Sequence, residues 1–112
     1  MSINIRVMAD YHSYPLWDIK DQKNISPKEL QLSEDLQARL MDWAFQYDST
    51  LNMSNPLNSG FVSGDEKTIF DQEGFILAKK IKKELGSGVY VEYFSETTRE
   101  FIEIGEAAGT KS

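Results

Sequence analysis

Ile3, Ile5, Val7 and Ala9 alternate with Asn4, Arg6 and Met8. A period of two predicts a strand with one buried face at the start of the chain. Residues 10–25 have no clean period. Pro15 disfavours a central strand there, so Leu16 to Ile19 is expected as a short edge strand pairing back on the first. At Ser26-Pro27-Lys28-Glu29, Ser and Glu stand at capping-box spacing and proline at the first helical position, which predicts a short helical turn ending near Leu32. Ser33 can cap the next helix, with Glu34 and Asp35 in its first turn, where the helix dipole favours negative charge. Leu36, Leu40, Trp43, Ala44, Tyr47 and Leu51 then fall on one face, and the helix should end between Asp48 and Leu51.

Turn-forming Asn, Ser, Gly and Pro dominate residues 52–64, with Phe61 and Val62 as anchors to the core. Ser63 and Glu66 repeat the capping-box spacing and predict a long helix from about Asp65 to Leu85. Its stripe is Phe70, Gly74, Leu77, Ala78, Ile81 and Leu85, widened by Ile69 and Ile76. A mid-helix glycine costs about 1 kcal/mol against alanine, and close approach of another element would explain Gly74. Lys79, Lys80, Lys82 and Lys83 crowd the helix end that welcomes cations, and Gly86 is a natural stop. Val89 to Phe94 and Arg99 to Ile104 read as a hairpin, and residues 106–112 as a frayed tail. Strands at both ends and helices between predict one α+β domain over residues 1–105. It should have two layers: a small, mostly antiparallel sheet packed against two main helices.

Composition removes several chemistries. The 112 residues include no cysteine, which excludes thiol catalysis, disulfides and Cys-based zinc sites. A single histidine cannot build a multi-histidine metal centre. No apolar run approaches the roughly 20 residues of a membrane span, and no secretory signal opens the chain, so a cytoplasmic protein is expected. The net charge of −6 disfavours nucleic-acid binding and favours basic partners.

Asp10, His12 and Ser13 have the residue types of a nucleophilic triad. On a strand, Ser13 would point away from the other two, and no glycine-framed elbow surrounds it. A capping aspartate and a surface histidine explain the same residues. The carboxylate pairs Asp18/Asp21, Asp65/Glu66 and Glu100/Glu103 lack the buried context that would separate their pKa values. No phosphate-binding loop or dinucleotide fingerprint is present, and no cofactor is expected. The lysines near residue 80 could touch nucleic acid, but dipole complementarity explains them without it. Tyr11, Tyr14 and Trp17 beside Asp18 and Asp21 suit a basic protein surface; the alternative is that these rings close one end of the core.

Residues 6–17 (RVMADYHSYPLW), 24–52 (NISPKELQLSEDLQARLMDWAFQYDSTLN) and 59–61 (SGF) resemble a family of small acidic bacterial proteins from polymorphic-toxin and contact-dependent growth inhibition loci. The likeness covers the first half of the chain well and the second half only as a helix followed by a strand. Members of that family serve as immunity proteins, so the resemblance implies a stoichiometric inhibitor of a cognate toxin domain, not an enzyme. It assigns no binding residues. Exposure and charge instead single out Tyr14, Asp18, Asp21, Asp48, Asn52, Asp65 and Glu66 as partner-binding candidates. A small carboxylate-dependent enzyme and a self-associating domain using an exposed strand edge are the competing readings.

Overall fold

A computed structural model describes residues 3–50, 61, 64–86 and 88–105. In chain order the elements are β1 (Ile3–Val7), β2 (Leu16–Asp18), β3 (Lys23–Ile25), a 3₁₀ turn (Pro27–Leu30), α1 (Glu34–Asp48), α2 (Gly64–Leu85), β4 (Val89–Phe94) and β5 (Phe101–Glu103). The five strands form one sheet in the order β3-β2-β1-β4-β5. β1 and β4 run parallel at its centre, with Ile5 opposite Val91, and the other three pairings are antiparallel. This is the expected α+β arrangement, a mostly antiparallel sheet with two helices.

The sheet alternates as its pleat requires. Ile5, Val7, Val91 and Tyr93 point into one core with Leu36, Leu40 and Trp43 of α1 and Phe70, Leu77 and Ile81 of α2. The opposite face carries Arg6, Glu92, Phe94 and Phe101. There the Arg6 Nε pairs with Glu92 Oε2 at 2.6 Å, and its guanidinium lies 4.3 Å from the centre of the Phe101 ring.

Three expectations need correction. Leu16 to Ile19 does not edge the sheet. β2 lies between β1 and β3, and Pro15 is compatible with that because it precedes the strand and uses only its carbonyl, which accepts from the Met8 N–H. The edge on that side is β3, a three-residue strand with no alternation to reveal it. On α2, Ile69 and Ile76 do not widen the buried stripe; they are 65% and 45% exposed, because the sheet covers only the face that carries Phe70, Gly74, Leu77 and Ile81. Ile3, expected inward, is also exposed.

The helix signals act as anticipated. Ser26 and Glu29 form the reciprocal capping box, and the Ser33 hydroxyl accepts the Leu36 N–H. Gly86 ends α2 with φ of +90°. Gly74 sits against both partners of α2: a Cβ there would collide with the Trp43 ring and lie 2.7 Å from Tyr93 Cε1. Lys82 is buried, and its ammonium donates to the Val89 carbonyl as β4 begins. The anticipated Ser63 cap, Val62, Leu51 and the 106–112 tail lie outside the described residues.

Candidate partner-binding surface

The segment between β1 and β2 is held by polar contacts from three directions. Asp10 Oδ1 accepts the Tyr11 N–H, as a capping aspartate should. The Tyr11 ring lies 4.6 Å from that of Tyr47, and its hydroxyl meets Thr50 Oγ1 at 2.7 Å. His12 is exposed and takes φ of +60°, a left-handed conformation unusual for a residue with a side chain. The Asp48 carboxylate at the end of α1 accepts the His12 N–H at 2.9 Å and fixes that turn. Asp48 therefore has a structural function at a helix end whose dipole disfavours it.

Tyr14 follows, with both backbone groups tied to one side chain. Its N–H donates to Asn24 Oδ1 at 2.9 Å, and Asn24 Nδ2 donates back to the Tyr14 carbonyl at 2.8 Å and to Leu16 at 3.0 Å. Pro15 and Leu16 beyond it are buried, while the Tyr14 side chain remains 43% exposed. Trp17 turns partly inward, and its indole N–H donates to the Met8 carbonyl. Tyr14 and Trp17 thus separate: the tryptophan is tied into the sheet and the tyrosine stays at the surface.

Tyr14 lines two adjoining hollows on the outer side of α1, of about 490 and 390 Å³, which share Met41. Asp48 lines the second. The structure therefore brings two of the candidate residues together. It places Asp18, Asp21, Asp65 and Glu66 elsewhere. Asp18 Oδ1 accepts the N–H groups of Lys20 and Asp21 in the β2–β3 turn. Asp65 and Glu66 are exposed in the first turn of α2. Asn52 lies outside the described residues. Sequence reasoning missed Asn24, Met41 and Phe45. The two on α1 did leave a signal, as apolar residues standing off the core stripe.

A second polar cluster also escaped the sequence. Asp71 of α2 reaches the β4–β5 turn, where Oδ1 accepts from Tyr93 Oη and the Glu96 N–H and Oδ2 from Ser95 Oγ and Thr97 Oγ1. These bonds outweigh the effect of burial and hold the Asp71 pKa below its usual 3.8. Burial pushes Glu96 the other way, above 4.5, although Arg99 pairs with it at 3.3 Å. Two carboxylates with divergent pKa values can mark a general acid and base. Here each Asp71 oxygen already accepts two hydrogen bonds, so its lone pairs are committed to joining α2 to the turn. The exposed edge of β5 offers Phe101 and Ile102 for self-association, but it is three residues long, preceded by Glu100 and ended by Glu103, features that protect edges from pairing.

A family model described as Serratia CdiI immunity protein-like matches residues 3–96. The chain belongs to this family. The CdiI-like match runs from β1 through β4 and takes in the β1–β2 segment, Asn24 and all of α1, whereas β5 lies beyond it. A comparison with curated proteins returned no match. Among the described residues, no helix is long and apolar enough to cross a membrane.

Proposed function

We propose that this chain is an immunity protein that binds a cognate bacterial toxin domain and neutralises it in a tight stoichiometric complex. Membership of the CdiI immunity protein-like family carries this reading. The net charge of −6 supports a basic toxin, a nuclease being the natural candidate, because complementary charge speeds capture. The proposed contacts are drawn from Tyr14, Asp18, Asp21, Asp48, Asn52, Asp65 and Glu66. The protein acts in the cytoplasm, by occupancy and without catalysis.

Growth protection tests this. A toxin domain found beside this gene, expressed alone from an inducible promoter, should arrest cells; co-expression of this chain should restore growth. Arrest that persists with the chain abundant and folded would defeat the proposal.

A further inference from the structure

We infer that the outer face of α1, with Tyr14 as its fixed anchor, is the surface that receives the toxin, and that its occupant is a basic segment carrying an apolar side chain between its cations. This rests on the immunity reading above.

The first support is the pattern along α1. Glu34, Ala38, Met41, Phe45 and Asp48 recur at helical spacing beside the core stripe and all line the two hollows. The core does not need them. Phe45 is 60% exposed although it sits next to buried Ala44. The stripe has an acid at each end and apolar groups between, over about 21 Å at 1.5 Å per residue. Arg39, the one cation within α1, is engaged by Glu73 of α2 at 3.0 Å and does not offset these acids.

The second support is Tyr14 itself. Asn24 holds its N–H and carbonyl, Asp48 holds the turn before it, and buried Pro15 follows. Three constraints fix the backbone of a residue whose ring is left at the surface. A residue whose backbone is ordered before binding loses only its ring torsions on docking, which suits an interface hot spot. Tyr11 and Trp17, a few residues away, are instead held by their side-chain polar atoms, at Thr50 and the Met8 carbonyl.

Charge selects the occupant. The hollows carry Glu34 and Asp48 against the one cation Lys28, with Asp35 and Asp42 also exposed on α1. A segment with Lys or Arg at both ends and a Leu- or Met-sized group at its centre complements acid, Met41/Phe45 and acid in turn.

The test uses the purified full chain and a toxin domain found beside its gene, with binding followed by surface plasmon resonance. Tyr14→Ala keeps the backbone bonds to Asn24 and removes only the ring. It should raise Kd roughly 30-fold or more, the scale of a hot spot. Phe45→Ala should act in the same direction, and Glu34→Lys should slow association and flatten its salt dependence. Ile76→Ala, an equally exposed apolar residue on α2, should bind like the unaltered chain. If the unaltered chain binds and Tyr14→Ala and Phe45→Ala bind equally well, the α1 surface is overturned and the immunity reading stands. If Ile76→Ala weakens binding and the α1 variants do not, the α2 face is the interface. If the unaltered chain does not bind, both readings fall.

Discussion

Asp71 and Glu96 are joined by one hydrogen bond, yet they respond to pH in opposite ways. Asp71 titrates lower in the folded chain than in the unfolded one, so its stabilisation is present above its ordinary value of 3.8 and is lost as pH falls through the depressed folded value. Burial raises Glu96, so its contribution is favourable below 4.5 and is lost as pH rises through the elevated value. Urea titrations across pH should therefore separate two variants. Asp71→Asn should cost about 1–2 kcal/mol near neutrality, from weakened charge-assisted hydrogen bonds at a half-exposed site, and the cost should shrink in acid. Glu96→Gln should be as stable as the unaltered chain or more so near neutrality, with its advantage fading toward pH 4.5. A Glu96→Gln variant clearly weaker at neutral pH would show that the Arg99 pair, not burial, governs this residue.

Among the elements, the junction of α1, α2 and β4 is the tightest. Trp43 stacks on Phe70 at 4.5 Å between ring centres and donates its indole N–H to the Phe70 carbonyl, while Tyr93 Oη reaches Asp71 across the Gly74 position. Gly74→Ala would add about 1 kcal/mol of helix propensity, but overpacking against two rings costs about 1–3 kcal/mol. Trp43 and Tyr93 are buried with little room to move, so the clash should dominate. Thermal denaturation should show a lower midpoint, and an unchanged or higher midpoint would mean that the rings can yield. The glycine was readable as a sign of close approach because a mid-helix glycine stands against its local propensity. Helix starts were readable for the same reason: Ser26, Ser33 and the 3.6-residue stripes are local chemistry. β3 was not, because Lys23-Asn24-Ile25 is too short for alternation. Nor was the central β1–β4 pairing, which joins Arg6 to Glu92 across 86 residues of chain. Tyr14 was singled out in the sequence as an aromatic near Asp18 and Asp21, and the structure bears out its exposure, whereas Asn24, which holds its backbone, acts through a hydrogen-bond pair that only the folded sheet creates.

At the scale of the whole molecule, two clusters of polar contacts among the described residues stand out. One, around Asp71, joins α2 to the β4–β5 turn. The other, around Asp48 and Asn24, fixes a surface segment and leaves Tyr14 outward on an acidic helix face. The first serves the fold. The second has no such need of an exposed ring, and an immunity protein of the CdiI-like family supplies a reason for it. On the proposed reading, excess negative charge would set how fast a basic toxin is met, and the apolar centre of the α1 face how long it stays. Isothermal titration of a toxin domain found beside this gene with the purified chain measures stoichiometric capture. The expected result is one chain per toxin domain with nanomolar or tighter affinity, weakening as salt rises; an absence of binding at micromolar concentrations in low salt would contradict the account.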